Sequence, residues 1–377
     1  MRTYFDHASS SPVRETVVKF LASGECRAYL NPSSVHYEGQ KSKSFISNAR
    51  ETLSQRLNVD FDNFLFTSSG TESCNYIINL AVEALNVENF IYLPTEHTAV
   101  IDAISSKNLN NIICPVNNNG LIDIDYCEEI MKQTKGKKLL CAMHINNETG
   151  IIQPIEQISE LCRRHEALFF CDMIQSLGKV DIDLKKMQVD FASFASHKIG
   201  GVHGVGAVYM KDASLLHKDI LGGSQEFGRR GGTENVIGIS AFGVALEDVY
   251  SNMEQEKALI NKLNLQMTKG LHNISQDIII VSQGSNKVPS ISSILFPGLK
   301  SENLLIGLDM DGFAVSSGAA CSSGKVGNSH VLEAMGYNEN ESSGAIRISF
   351  GWGNNEQQVT LFLNALNNLL KGMNFKD

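Results

Sequence analysis

The chain has few of the features that mark nucleic-acid-binding or membrane-spanning proteins. Charged residues make up only 19% of its 377 residues, and 41 acidic against 32 basic side chains give a formal net charge of −9. A negative chain with no lysine-rich run is poorly suited to bind nucleic acid or an anionic membrane surface. No apolar run approaches the roughly 20 residues that a membrane-spanning helix needs. We therefore expect no nucleic acid and no membrane among its partners.

Closely spaced cysteine pairs are also absent. None of the eight cysteines forms a C-x-x-C pair, so the sequence shows neither a zinc ribbon nor a dithiol redox motif, and we expect no metal site. Cys114, Cys141 and Cys171 lie in or beside apolar, strand-like runs, which favours small buried side chains. The first residues, 1–6, contain no apolar signal-peptide core. We expect a cytoplasmic protein.

The chain does have a regular alternation of apolar strands and helices. Hydrophobic residues make up 42% of it, as in an ordinary globular protein, and its length allows two domains. Strand-like runs lie at 90–93, 112–113, 139–143 and 167–171, with helical stretches between them at about 96–107, 124–134 and 155–165. This alternation predicts an α/β fold with a mainly parallel sheet that is covered on both faces.

A region of different character follows a long helix that we predict at about 236–271. Its elements are strand-like runs at 278–281, 290–296, 313–315 and 345–349 and helices at 301–309 and 356–371. This order predicts a smaller α+β domain. We place the large domain at 13–250 and the small domain at 1–12 and 251–377.

Polar side chains cluster directly after the predicted strands. The clusters are Glu96–His97, His144–Asn147, Asp172–Gln175 and Ser196–Lys198. One such cluster would usually be a helix cap or a salt-bridge partner. Because ligands bind at the carboxyl ends of parallel strands, four clusters in succession indicate a binding site at one edge of the sheet.

A turn of small residues at 68–71 joins an apolar strand at 63–66 to a helix predicted at 76–85. Backbone N–H groups at a helix N-terminus can bind a phosphate, although an ordinary helix cap is the alternative. A phosphate turn, a histidine that can stack on a ring, an aspartate and a lysine together are the groups that pyridoxal 5'-phosphate requires. We therefore interpret Lys198 as the lysine that carries this cofactor as a Schiff base.

Cys321 differs from the other cysteines, because it lies in a run of small residues, 316–324, without a large apolar neighbour. A thiol in such a setting is exposed and reactive, or it is a loop cysteine without a role. The residues alone leave both interpretations open.

These residues together resemble the cysteine desulfurases, within the class V aminotransferase group of fold-type I pyridoxal-phosphate enzymes. The resemblance covers nearly the whole chain. Its motifs stand in family order: Phe66-Thr67-Ser68, Thr71-Glu72-Ser73, Glu96-His97, Asn146-Asn147-Glu148, Asp172…Gln175, His197-Lys198, Gly232-Thr233, Ala320-Cys321 and Ile346-Arg347. The loop from Cys321 to Ser329 is long, as in the nitrogen-fixation and iron–sulfur housekeeping branch.

The resemblance implies a seven-stranded sheet, a homodimer and a set of site residues. The catalytic residues would be Lys198, Cys321 and His97. The cofactor would be bound by Gly70, Thr71, His97, Asn147, Asp172, Gln175, Ser196, His197, Lys198 and Thr233, of which Thr233 would reach the phosphate in the other subunit. Arg347 and Asn147 would bind the substrate carboxylate, since an arginine fork can hold both oxygens.

The implied reaction removes sulfur from L-cysteine. Lys198 would move the α-proton, and the Cys321 thiolate would attack the substrate sulfur, which leaves L-alanine and a Cys321 persulfide. The persulfide would pass to a protein acceptor such as an iron–sulfur scaffold. Selenocysteine lyase, a class V aminotransferase that does not need Cys321 and a non-catalytic assembly scaffold remain alternatives.

The sequence departs from the family pattern at five positions. Ala195 replaces the serine usual two residues before His197, and a hydroxyl stands instead at Ser196. Val202-His203 replaces a pair in which lysine or arginine is common, and Phe227 and Trp352 stand where arginine is common. We expect these changes to affect cofactor affinity and dimer contacts rather than the chemistry.

Overall fold

The structure, a computed structural model, describes residues 2–24, 27, 29–318 and 329–375. The strands in this part of the chain are β1 (Thr3–Tyr4), β2 (Phe64–Thr67), β3 (Asn89–Tyr92), β4 (Asn110–Ile113), β5 (Lys138–Cys141), β6 (Leu168–Asp172), β7 (Phe191–Ala195), β8 (Gly206–Met210), β9 (Ile279–Ile280), β10 (Ile291–Leu295), β11 (Phe313–Ala314) and β12 (Ile346–Ser349). Seven of them form the central sheet, in the order β2-β8-β7-β6-β5-β3-β4. The predicted α/β fold with a mainly parallel sheet is confirmed.

The direction of the strands determines where a site can form. Strands β3 to β7 pair in parallel, whereas β8 is antiparallel to both of its neighbours, β7 and β2. Because the chain direction reverses twice across β8, β2 runs the same way as the parallel strands. The carboxyl ends of β2, β3, β5, β6 and β7 therefore meet at one edge of the sheet.

The helices in the described residues are α1 (Glu15–Ala22), α2 (Tyr37–Leu57), α3 (Gly70–Glu83), α4 (Thr98–Ser105), α5 (Ile124–Gln133), α6 (Ile155–Arg164), α7 (Leu184–Met187), α8 (Val236–Ile274), α9 (Ser301–Met310), α10 (His330–Ala334), α11 (Glu339–Ser342) and α12 (Glu356–Gly372). Most lie within a few residues of their predicted bounds. Helix α3 begins at Gly70 rather than near residue 76, because the Ser69 hydroxyl accepts a hydrogen bond from the Glu72 N–H (3.1 Å) and caps it. None of the helices in these residues is both long and apolar enough to cross a membrane.

The smaller sheets lie outside the central one. Strands β9, β10 and β12 form an antiparallel sheet, and β1 pairs in parallel with β11. Just after β1, Asp6 makes a bridge to Ser349, the last residue of β12. The first residues of the chain are thus fixed to the same sheet as Arg347.

Separate apolar cores support the central sheet and the small sheets. Helix α8 belongs to both, since Phe242 packs in a core beside the central sheet and Leu263 in the core that contains Phe362 of α12 and Phe5. This packing supports the domain division at 13–250, which stays a prediction. Among the residues that the structure describes, six cysteines are buried, including Cys114, Cys141 and Cys171 as predicted.

Candidate active site

A cavity of about 130 Å³ lies at the carboxyl edge of the central sheet. It is lined by side chains that follow β2, β3, β5, β6 and β7, together with Ala8 from the N-terminal segment and Arg347 from β12. Nine of the predicted site residues line it: Gly70, Thr71, His97, Asn147, Asp172, Gln175, His197, Lys198 and Arg347. The fold therefore brings together residues that are up to 277 positions apart in the chain, Gly70 and Arg347 being the extremes.

Lys198 ends a 3₁₀ turn, Ser196–Lys198, directly after β7. Its Nζ donates to the carbonyl oxygens of Ala8 (2.8 Å) and Ser9 (2.6 Å). Both acceptors belong to the N-terminal segment, so that segment holds the amine at the cavity wall. A primary amine in this position can form a Schiff base with a bound aldehyde.

Asp172 is the last residue of β6 and is buried. Its Oδ1 accepts hydrogen bonds from the Ile174 N–H (2.9 Å) and the Ser193 hydroxyl (3.0 Å). Burial raises the pKa of Asp172, and the Ile174 N–H, His97, the Ser193 hydroxyl and Lys198 oppose that effect. A cationic N–H group bound beside this carboxyl would stabilise its ionised form.

His97 caps helix α4 with its ring. The Nδ1 atom accepts a hydrogen bond from the Ala99 N–H at 3.1 Å, so the neutral ring carries its proton on Nε2. Burial lowers the pKa of His97, and Lys198 acts in the same direction while Asp172 opposes it. A neutral imidazole with a defined tautomer can both stack on a ring and exchange a proton.

The turn before α3 places the N-terminus of that helix at the cavity wall. A Cβ atom on Gly70 would lie only 2.4 Å from Ile174 Cδ1, so a larger residue would require Ile174 to move. Gly70 is the first residue of a helix of 14 residues, whose N-terminal N–H groups and dipole favour a negative group. Thr71 follows in the same turn and lines the cavity.

Arg347 is 1% exposed and already has partners. Its Nη2 pairs with Asp6 Oδ1 at 2.8 Å, and its Nη1 donates to the backbone oxygen of Asn147 at 3.0 Å. The Nε atom is buried without a hydrogen-bond partner in the described part of the chain. Asn147 therefore contacts Arg347 through its backbone oxygen, a contact that the sequence did not predict.

Two of the predicted site residues that the structure describes, Thr233 and Ser196, do not line the cavity. Thr233 is exposed, and Cys321 lies outside the described residues. The Ser196 hydroxyl is buried without a partner in the described residues, at a position where a Cβ on Gly201 would come within 2.1 Å. Ala195 lines the cavity instead, so the shifted serine places no hydroxyl there.

The other departures from the family pattern have structural partners. His203 stacks on His197 with ring centroids 5.3 Å apart and hydrogen-bonds through Nε2 to the Ser10 hydroxyl at 2.9 Å. Trp352 donates from Nε1 to the Pro12 oxygen at 3.2 Å. These contacts connect the residues around Lys198 to the N-terminal segment.

Sequence reasoning missed three groups at or near the site: Asp6, the Ala8 carbonyl and Lys179. A signal existed only for Lys179, which follows Gln175 by four residues in the same predicted cluster. The other two act across the sheet from the first ten residues, where the sequence shows only a polar turn. No group of three or more metal-ligating side chains occurs in the ranges that the structure covers.

The mostly parallel central sheet and the solved structures that it resembles place the chain in the fold-type I class of pyridoxal-phosphate enzymes. The NifS-like protein from Rickettsia africae superposes with a TM-score of 0.90 at 30% identity, over 98% of this chain and 100% of its own. SspA, solved in complex with cysteine, gives a TM-score of 0.81 at 29% identity, over 93% and 99%.

The sequence comparisons agree with the structural ones. The family model described as aminotransferase class-V matches residues 3–362. The cysteine desulfurase IscS of Dictyoglomus turgidum is 31% identical over 98% of this chain and 94% of its own, and the cysteine desulfurase of Sinorhizobium fredii is 32% identical over 98% and 96%. The chain belongs to the class V aminotransferase family, within its cysteine desulfurases, as predicted.

Proposed function

We propose that this protein is a pyridoxal-phosphate-dependent cysteine desulfurase that takes sulfur from L-cysteine and releases L-alanine. The observation that carries the proposal is the single cavity where Lys198, Asp172 and Arg347 meet. An amine, a buried acid and a guanidinium are the groups that this cofactor and an amino-acid substrate require. The names of the relatives favour cysteine as the amino acid.

Several features of the cavity fit pyridoxal phosphate. Gly70 and Thr71 place the N-terminus of α3, which is suited to a phosphate, at the cavity wall. Asp172 is buried with a raised pKa, so a protonated ring nitrogen is the partner that would stabilise its charge. The Nε of Arg347, which has no hydrogen-bond partner among the described residues, is available for an acceptor such as a carboxylate.

The residues that would hold the cofactor follow from this fit. Lys198 would bind it covalently, and Gly70, Thr71 and His197 would bind its phosphate. Asp172 would hold the ring nitrogen, with His97, Asn147 and Gln175 around the ring. The bound cofactor would supply an electron sink for the substrate α-carbon. Ser196 is buried away from the cavity lining, so we give it a supporting role only.

Two side chains would move protons. The Lys198 amine, once the substrate amine has replaced it, would take the α-proton, as a general base must lie within reach of the atom it deprotonates. His97 remains neutral near pH 7 because burial lowers its pKa, and its proton is on Nε2. It would therefore assist the transfer without adding a positive charge to the cavity.

Cys321 would accept the sulfur. Its thiolate would attack the sulfur of L-cysteine, so that an S–S bond forms and the substrate C–S bond breaks. The electron pair of that bond stays on the substrate carbon, which takes up a proton and completes L-alanine. The product on the enzyme would be a Cys321 persulfide. This role comes from the sequence, since Cys321 lies outside the described residues.

The test is alanine formation from L-cysteine by the cofactor-loaded protein. Cys321→Ala should abolish it by removing the attacking thiol, while Cys26→Ala, which alters a cysteine far from the site motifs in the sequence, should retain the wild-type rate. Mass spectrometry should detect one added sulfur on the peptide that contains Cys321. Alanine formation that persists in Cys321→Ala would contradict Cys321 as the sulfur acceptor. A wild-type protein that forms no alanine but transfers the amino group of cysteine to a 2-oxo acid would favour an ordinary transaminase.

We also propose that two copies of the chain form a homodimer. Large apolar side chains are exposed near the glycine-rich segment at 222–232, with Leu221 82% and Leu216 70% exposed. Val35 is 92% exposed. Thr233 is exposed in the same part of the sequence, as expected of a residue that serves the cavity of a second subunit. A monomeric mass by light scattering would contradict this proposal.

The protein that receives the sulfur from Cys321 is a separate part of the proposal. We propose a cytoplasmic protein acceptor such as an iron–sulfur scaffold, because the long loop after Cys321 resembles the housekeeping branch. Capture of acceptors with the Cys321 persulfide, compared with Cys321→Ala as the control, would test this directly. Recovery of the same proteins with both forms would contradict it.

A further inference from the structure

A second set of polar contacts lies behind the candidate active site. Lys179, four residues after Gln175, donates from Nζ to Gln175 Oε1 at 3.1 Å. At the other end of the same amide, Gln175 Nε2 donates to the Ala8 oxygen at 2.7 Å. Gln175 is buried, so protein groups contact both ends of its amide.

These two contacts determine how the amide is turned. A glutamine amide has an oxygen that only accepts and a nitrogen that only donates, and the two ends have nearly the same shape. Lys179 can donate to the amide, whereas the Ala8 carbonyl can only accept. A half-turn of the amide would place two donors together at Lys179 and two acceptors together at Ala8. Only one orientation therefore satisfies both neighbours.

The fixed orientation matters because Gln175 faces the cavity and Lys179 does not. Gln175 lines the candidate active site, whereas Lys179 lines a separate cavity of about 40 Å³ whose wall also includes His7 and Lys198. The Ala8 oxygen that accepts from Gln175 also accepts from Lys198 Nζ at 2.8 Å. Lys179 can therefore influence the site through Gln175, and the amide nitrogen keeps a second N–H for a group beside it.

The charges around Lys179 are well defined. Burial, assisted by Lys198, lowers the pKa of Lys179 to about 7. The histidines affected by its charge are His7 and His197, and Arg14 acts on His7 as well. Both the ammonium and the neutral amine retain N–H groups, so the contact to Gln175 does not require the charge.

We propose that Lys179 is a positioning residue, which fixes the Gln175 amide so that the cavity offers an N–H donor to the phenolic oxygen of the bound cofactor. The inference rests on the proposed function, because it assumes pyridoxal phosphate in this cavity. The inference adds Lys179 to the proposed site as a residue that does not contact the cofactor and acts only through Gln175.

The experiment is a pH titration of the visible absorbance of the cofactor-loaded protein. The forms compared are the wild type, Lys179→Met, Gln175→Ala, the double variant and Lys185→Met, which alters an exposed lysine of α7. Lys179→Met should raise the titration midpoint by about one pH unit, as expected when an anionic oxygen loses one donor. Gln175→Ala should raise it similarly, the double variant should move it no further, and Lys185→Met should leave it unchanged.

The possible outcomes separate the explanations. An unchanged midpoint in Lys179→Met would overturn the inference. So would a Lys179→Met substitution that raises the midpoint by the same amount in the Gln175→Ala variant as in the wild type, because the charge of Lys179 would then act directly on the cofactor. If Lys179→Met does not fold, Gln175→Glu is used as the test variant instead. Its carboxylate still accepts from Lys179, but the cavity loses the amide N–H of Gln175. That variant should raise the midpoint, and an unchanged value would overturn the inference. A wild-type protein that develops no visible absorbance with pyridoxal phosphate would instead contradict the proposed function.

Discussion

Two arginines with similar burial and pairing have different proposed roles in this molecule. Arg347 is 1% and Arg50 5% exposed, and each is paired with a carboxylate, Asp6 at 2.8 Å and Glu226 at 2.6 Å. Both also have a buried Nε without a partner among the described residues. Burial and pairing therefore do not distinguish a substrate-binding arginine from a structural one.

The difference is in what else each guanidinium contacts. Arg50 lies 4.6 Å from the ring centre of Phe227 and 5.2 Å from those of Phe61 and Phe66, and the Phe66 N–H also donates to Glu226. Phe227 stands where the family often has arginine, and its ring stacks on the Arg50 guanidinium. Arg347 instead contacts the backbone of Asn147 on the cavity wall. The comparison shows that a buried ion pair is weak evidence of function until its neighbours are known.

Removal of Arg347 should produce the largest effect. Arg347→Ala should lower kcat/KM for L-cysteine by about 10³-fold, since the loss of one partner from a buried charged pair costs roughly 3–5 kcal/mol. Steady-state kinetics of the cofactor-loaded protein would measure it, with Arg347→Lys expected to recover part of the loss. Unchanged kinetics with a lower melting temperature would place Arg347 in the same structural class as Arg50.

Removal of Arg50 should instead affect stability. Arg50→Met should lower the free energy of unfolding by about 3–5 kcal/mol, because Glu226 would remain buried without its cation. The double variant Arg50→Met with Glu226→Gln should recover part of this, while kcat/KM of the folded fraction stays near wild type. Thermal denaturation would measure the change. A fall in kcat/KM at an unchanged melting temperature would contradict the structural role of Arg50.

Acid should destabilise the side of the molecule that carries the candidate site. Burial lowers the pKa of His144, which follows β5, to about 4. The unfolded chain then binds more protons than the folded one, so this stability is full above about pH 6.5 and is lost as the pH falls towards 4, at up to ~1.4 kcal/mol per pH unit. His144→Gln should flatten the dependence of the melting temperature on pH. An equally steep dependence in that variant would refute the assignment.

The smallest effects are expected from changes to Asp6 and Glu226, the carboxylate partners of the two arginines. Asp6→Asn should lower KM for L-cysteine by about fivefold, the effect of roughly 1 kcal/mol, because Asp6 competes with the substrate carboxylate for Arg347. Glu226→Gln is the matched change and should leave KM unaltered. A higher KM in Asp6→Asn would show that Asp6 orients Arg347 rather than competing with the substrate.

Much of the fold was predictable because its signals are local. Helix α9 was predicted at 301–309 and observed at Ser301–Met310, and α5 and α6 were also within one residue at each end. Hydrophobic periodicity depends on near neighbours, so it survives without knowledge of the tertiary structure. The start of α3 was missed because its first turn is made of small polar residues, and there the cap provided by Ser69 decides the boundary rather than periodicity.

The candidate site was predictable in its members but not in their contacts. Lys198, Asp172 and His97 follow strands, and the parallel sheet alone places such residues at one edge. The positions of Ala195 and Ser196 were not predictable, since a one-residue shift exchanges the residue that faces the cavity. Which atom of Asn147 contacts Arg347 likewise depends on the packing of two separate sheets.

The sequence by itself determined the central sheet, the polar residues at its carboxyl edge and the kind of cofactor that they suit. Only the tertiary structure decided three contacts. The Ala8 oxygen accepts from both Lys198 and Gln175, Lys179 donates to the Gln175 amide, and Asp6 pairs with Arg347. The Ala8–Lys198 contact joins residues 190 positions apart and the Asp6–Arg347 contact residues 341 apart. Contacts over such distances arise from how the elements pack together, which local patterns in a sequence do not encode.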